Sequence, residues 1–140
     1  MEVLLVEDNR MDAQFAIRAL EKANFKHRCM LVLDGEEALD YLHRRGIFAR
    51  APRPDLILLD LGLPKKDGRG VLSEIRADEE LRDIPVVVLT GSTDEADMAH
   101  AQLLQVESYL VKPVSLNKFL DVVHELKHFW HQGVILPTVE

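Results

Sequence analysis

One cysteine, Cys29, is the only thiol in this sequence of 140 residues. An internal disulfide is excluded, and a reducing compartment fits. Positive charge is also scarce. Lys and Arg number 17 against 24 Asp and Glu, a net charge of −7. Binding to nucleic acid, which needs clustered positive charge, is not expected. No apolar run approaches the ~18 residues of a membrane span. The opening MEVLLVEDN has no basic stretch and only four apolar residues in a row, so it does not read as a signal peptide. The expectation is a cytoplasmic protein without repeats or low-complexity segments.

Hydrophobic residues make up 47% of the chain, enough for one core, and the length suits one domain. Five short apolar runs stand out: Val3–Val6, Cys29–Leu33, Leu56–Leu59, Val86–Leu89 and Tyr109–Val111. They are rich in Val, Ile and Leu and do not alternate with polar residues, as expected of parallel strands buried on both faces. Helix signals fill the gaps. Asp34 with Glu37, and Ser92 with Glu95, have capping-box spacing, and Asn9 with Asp12 is a weaker version. From Leu116, apolar residues recur at Phe119, Leu120, Val123, Leu126 and Trp130, one stripe of a final helix. Five βα units imply crossovers, hence a doubly wound α/β domain of three layers. The domain is expected over 1–132, with an apolar tail over 133–140 packed on the domain or on a partner. An output domain after the last helix is not expected.

Four of the five runs end in groups that bind charge. Val3–Val6 leads to Glu7 and Asp8, Leu56–Leu59 to Asp60, Val86–Leu89 to Thr90, and Tyr109–Val111 to Lys112. Parallel strands put their carboxyl ends on one edge, ~4.8 Å apart, and ligands of open α/β sheets bind there. Three carboxylates gathered in that crevice repel one another. Lys112 neutralises part of that charge. A hard divalent cation, Mg²⁺ by preference with Mn²⁺ as substitute, suits the rest. Such an ion also steadies a phosphoryl group in transfer. A carboxylate can be the nucleophile and become an aspartyl phosphate, and Asp60 ends what should be a central strand. Thr90 and Lys112 are placed to meet phosphoryl oxygens, and backbone N–H groups near Gly62 and Gly91 could assist.

The segments LLVEDN, DGEEALDYL, PDLILLDLGLPKKDG, IPVVVLTGS and YLVKPV together resemble the receiver domain of response regulators, over essentially the whole chain. The resemblance implies a flavodoxin-like five-stranded sheet of order 2-1-3-4-5. It implies that Asp60 accepts a phosphoryl group from a sensor histidine kinase. Mg²⁺ would be held by Asp8, Asp60 and the backbone carbonyl of Gly62, with Glu7 acting through water. Thr90 would be the switch hydroxyl, Lys112 the phosphate partner, Tyr109 the aromatic that changes rotamer, and Pro113 would follow a cis bond. Such a protein is a phosphoacceptor rather than an enzyme acting on other molecules, and it signals by protein–protein contact. Two positions depart from the usual pattern: Glu7-Asp8 stands where Asp-Asp is common, and Gly62 is often a larger residue. PRPDLILLDLGLPKKDGRGVL with FWHQGVILP is similar, more narrowly, to the dimeric single-domain regulators of cyanobacterial phytochromes. A phytochrome kinase is the partner this implies.

Other features take simpler readings. His124, His128 and His131 have metal-like spacing, but no acidic or Cys partner is in step, so they read as a polar helix face. Lys65, Lys66 and Arg69 read as a solvated loop, and Cys29 as a small buried hydrophobe. Phe129, Trp130, Ile135 and Leu136 form an apolar end that a monomer rarely exposes, so a symmetric homodimer through the last helix and tail is expected. The rival readings are a receiver-shaped scaffold that is never phosphorylated, and a small phosphatase. Gly62 weakens the phosphatase, since it stands where that chemistry usually needs a second acid.

Overall fold

A computed structural model describes residues 1–23 and 26–133, with side chains as far as residue 126. Five strands alternate with five helices: β1 (Glu2–Val6), α1 (Arg10–Lys22), β2 (Arg28–Val32), α2 (Gly35–Leu42), β3 (Leu56–Leu59), α3 (Gly68–Ala77), β4 (Val86–Thr90), α4 (Glu95–Leu103), β5 (Ser108–Val111) and α5 (Leu116–Gly133). One short 3₁₀ turn, Gly46–Phe48, follows α2. The sheet is parallel throughout, in the order β2-β1-β3-β4-β5. This is the doubly wound, flavodoxin-like fold expected above.

The pleat explains why the strands read as unbroken apolar runs. Successive side chains leave on opposite faces, and both faces are covered. Val3, Leu5, Leu56, Leu58, Val87, Leu89 and Leu110 meet α1 and α5 on one side. Leu4, Val6, Ile57, Leu59, Val86 and Val88 meet α2, α3 and Ala101 of α4 on the other. All four residues of β3 are fully buried. Each such aliphatic side chain contributes roughly 1.5–3 kcal/mol by leaving water. Small residues at Ala13, Ala16 and Ala19 form much of the buried face of α1.

Two strands are less buried than their composition suggests. β2 is an edge strand with only Val32 buried, and Leu33 lies beyond it and is exposed. β5, the other edge, buries only Leu110. Cys29 on β2 is half-buried, and burial raises its thiol pKa to about 11.

The caps follow the expected chemistry in two cases. Asn9 accepts from the Asp12 N–H at 3.0 Å, and Asp34 from the Glu37 N–H at 2.8 Å. In α4 the expected cap is wrong. Asp94, not Ser92, caps the helix, accepting from the Ala96 N–H at 2.8 Å. Ser92 lies two residues before the cap, and its hydroxyl goes to Asp97 instead.

Gly133, expected to begin the 133–140 tail, is instead the last residue of α5, and the rest of that tail, from Val134, lies outside the described residues. So do Ile135 and Leu136, and the side chains of Phe129 and Trp130. Among the described residues no helix is long and apolar enough to cross a membrane.

Candidate functional site

The register of the sheet gathers the charged strand ends. Val6 pairs with Leu59, Leu59 with Val88, and Thr90 with Val111. Glu7, Asp60, Thr90 and Lys112 therefore emerge together at the carboxyl edge. Backbone bonds hold each in place. The Glu7 N–H donates to Val32 O at 3.0 Å, Asp60 N–H to Val6 O at 3.1 Å, and Lys112 N–H to Thr90 O at 2.8 Å. The loop after Asp60 is fixed by Gly68. A Cβ there would stand 2.1 Å from the Asp60 carbonyl oxygen, so only glycine permits this return of the chain.

Asp60 is buried, and both its oxygens are engaged. Oδ1 accepts from the Gly62 N–H at 3.1 Å, and Oδ2 accepts from Lys112 Nζ at 3.1 Å. Lys112 Nζ also donates to Glu7 Oε1 at 2.7 Å and lies 2.9 Å from Asp12 Oδ2. Burial lowers the Lys112 pKa, but its bonds to Glu7 and Asp12 and the charge of Asp60 outweigh this and hold it above the usual range. Burial raises the Glu7 carboxyl, with the Asp60 charge adding to it. Lys112 and the Asn9 N–H pull in the other direction. The Lys112–Pro113 peptide is cis, as expected.

One carboxylate oxygen each from Glu7, Asp8 and Asp60 lie within 4.8 Å of one another. All three donors are hard oxygens, and one ammonium cannot balance them together with Asp12. That donor set fits a divalent cation of the Mg²⁺ type. Gly62 leaves the mouth open, since a Cβ there would meet nothing within 4 Å.

Thr90 is buried at the end of β4, and its Oγ1 accepts from the Ser92 N–H at 3.3 Å. Tyr109 on β5 is half-buried and donates from its hydroxyl to Ser92 O at 3.0 Å. The two expected switch residues thus meet on one loop residue. His124 is exposed, in keeping with a polar helix face, while the side chains of His128 and His131 lie outside the described residues.

Two parts of the site escaped the sequence reading. Asp12 was read only as a partner of the Asn9 cap, yet it sits four residues after Asp8 and closes on Lys112. That one-turn spacing was the available signal. The second concerns the basic group read as a solvated loop. Lys65 pairs with Asp34 at 3.6 Å and Lys66 with Glu74 at 2.8 Å. Arg69 belongs to α3 and grips Asp97 of α4 through Nε and Nη2, both at 2.5 Å. No local pattern links residues 28 positions apart.

Comparison with known proteins agrees with this geometry. Response regulator Rcp1 of Synechocystis sp. is 42% identical over 136 residues, covering 97% of this chain and 92% of its own. Its Mn(2+)-bound crystal structure superposes with a TM-score of 0.82, covering 98% of this chain and 99% of that one. The phosphorylated cyanobacterial phytochrome response regulator RcpA superposes with a TM-score of 0.76 at 44% identity, covering 98% of each chain. FilR2 of Methanothrix harundinacea, named a probable methanogenesis regulatory protein, is 46% identical over 128 residues, 91% of this chain and 82% of its own. The family of response regulator receiver domains matches residues 3–124, the stretch that carries every charged strand end, and the chain belongs to that family.

Proposed function

We propose that Asp60 is the phosphoacceptor of this response regulator and that a sensor histidine kinase supplies the phosphoryl group. The observation that carries the reading is the setting of Asp60. Its two oxygens are oriented by the Gly62 N–H and Lys112, with Glu7 and Asp8 at metal-sharing distance. In the transfer, a carboxylate oxygen of Asp60 attacks phosphorus. The O–P bond forms, the N–P bond of the phosphohistidine breaks, and the imidazole nitrogen leaves with that electron pair. Asp8, Asp60 and the Gly62 carbonyl would hold Mg²⁺ or Mn²⁺, with Glu7 through water, and the bound ion offsets charge on the phosphoryl oxygens. Lys112 pairs with one phosphoryl oxygen and Thr90 donates to another, while Tyr109 follows the loop that Thr90 draws in. Pro113 precedes the loop into α5.

The chain on this reading acts only on its own phosphoryl group, gaining and losing it. Its output is contact with other proteins, by a population shift that the new charge drives. RcpA is a cyanobacterial phytochrome response regulator, which supports a phytochrome as the kinase here. FilR2, at similar identity, is named instead for the regulation of methanogenesis. A homodimer belongs to the same proposal. Met98 and Leu103 leave exposed apolar surface on α4, and Phe129, Trp130, Ile135 and Leu136 join the proposal on their sequence alone.

The test is intact mass after incubation with Mg²⁺ and acetyl phosphate, with Asp60→Asn alongside. One phosphoryl group on the wild type and none on the variant is the expected result. Equal gain by both would remove Asp60 from the role. No gain by the wild type, even in a rapid-quench series, would favour the scaffold.

A further inference from the structure

Arg69 lies outside the acidic crevice, yet its guanidinium spans the two loops that must cooperate there. Nη1 donates to Leu61 O at 3.4 Å, the residue directly after Asp60, and to both oxygens of Asp67 at 3.0 Å. Nε and Nη2 take the two oxygens of Asp97 in a bidentate pair at 2.5 Å. Asp97 Oδ2 in turn accepts from the Ser92 hydroxyl at 2.6 Å. Ser92 Oγ also accepts from the Asp94 N–H at 3.2 Å, so the same hydroxyl steadies the entry to α4.

The chain of contacts ends at the switch. Ser92 gives its N–H to Thr90 Oγ1 and receives the Tyr109 hydroxyl on its carbonyl. Three polar groups of Ser92 are therefore engaged at once: N–H by Thr90, hydroxyl by Asp97, and carbonyl by Tyr109. Movement of Thr90 toward a group on Asp60 draws Ser92 with it, or breaks their bond. Ser92 can follow only by leaving Asp97, which Arg69 keeps from following in turn. Bidentate Arg–carboxylate pairs fix geometry as well as charge, and this one ties α4 to α3. Arginine is needed for that, because a lysine ammonium cannot hold both oxygens and reach the Leu61 carbonyl together.

We propose that Arg69 is a positioning residue for phosphorylation, holding Thr90 in its resting place through Asp97 and Ser92 and so setting how readily the switch closes. The inference rests on the reading of Asp60 as phosphoacceptor. The contacts that hold the resting loop must be surrendered in the closed form, so weakening them favours closure. The low Asp97 pKa, held near 2 by Arg69 and then Ser92, agrees with a firm pair.

Beryllofluoride with excess Mg²⁺ serves as a non-transferable phosphoryl mimic, and its affinity is read by calorimetry on the full chain. Arg69→Ala and Ser92→Ala should each bind it about fivefold more tightly than wild type, a modest gain suited to a half-exposed network. Mg²⁺ alone should bind all three proteins equally. The double variant should be no tighter than either single one, since both cut the same link. Ser92→Ala leaves the Arg69–Asp97 pair intact, so loss of stability in the arginine variant cannot mimic the result. Unchanged or weaker binding in both variants would overturn the proposal. Tightening in Arg69→Ala alone would overturn the route through Ser92. Failure of the wild type to bind the mimic at all would instead remove the Asp60 reading, and this inference with it.

Discussion

The site has a dense half and a thin half. β1 and β3 bury nearly every residue, and α3 packs Val71, Leu72 and Ile75 against them. On the other side, α4 buries Ala101 alone and β5 buries Leu110 alone. Glu7, Asp8 and Asp60 stand on the dense half, at the ends of β1 and β3. Ser92 and Tyr109 stand on the thin half, with Thr90 at the seam. A nucleophile and a metal site need fixed geometry, which close packing supplies. A switch needs an element whose displacement costs little, and sparse burial with polar ties supplies that. The division of labour follows from where apolar area is buried, and polar contacts such as Arg69–Asp97 then decide how firmly the thin half rests.

The sharpest test of that contrast is to damage each half equally. Leu58→Ala in β3 should lower unfolding stability by about 2–5 kcal/mol in urea titration, through lost burial and a cavity. Met98→Ala on α4, a partly exposed side chain, should change it by less than about 0.5 kcal/mol. Similar losses in the two variants would erase the distinction.

A second test acts where the halves meet. Lys112 reaches back from the end of β5 to Glu7 and Asp60. Lys112→Ala leaves the buried Glu7 carboxylate facing Asp60 without its cation. In metal-free buffer this should cost about 2 kcal/mol. Added Mg²⁺ should restore part of the loss, because the ion supplies the missing charge. Phosphorylation of this variant should no longer change partner affinity or oligomeric state. A wild-type-like response would show that Thr90 alone carries the switch.

The dense half was the legible half. Leu56–Leu59 and Val86–Leu89 read as buried strands because both faces of each are covered, which leaves an unbroken apolar run. Their terminal Asp60 and Thr90 could then be placed by topology. The edge strands read less well. Cys29–Leu33 is as apolar as a central strand, but edge position depends on strand order, which composition does not encode. The α4 cap was misread because Ser92 and Asp94 both accept from backbone N–H groups and lie two residues apart. Asp12 was missed because a capping role already accounted for it. The Arg69–Asp97 pair depends on α3 and α4 lying side by side, so no spacing within either segment announces it.

The smallest expected effect concerns that pair. The Asp97 pKa falls from 3.8 to about 2, first through its bonds with Arg69 and then through Ser92. A carboxyl whose folded pKa is depressed stabilises the fold above its unfolded pKa, and loses that contribution as pH falls through the folded value. The contribution of Asp97 is therefore whole above about 4 and gone below about 2. Asp97→Asn keeps the shape and an oxygen for Ser92 but cannot ionise. Its stability deficit against wild type, read from urea midpoints, should be about 1 kcal/mol at neutral pH for a pair partly open to solvent. It should then shrink as pH drops from about 4 toward 2. Salt should shrink it further at neutral pH, because Arg69 is partly exposed and screening reaches it. A deficit that stays constant across that pH range would mean that the carboxyl acts as a packing or hydrogen-bonding group and not through its charge. In that case the thin half is held by shape, and the charge between α3 and α4 contributes nothing to its resting position.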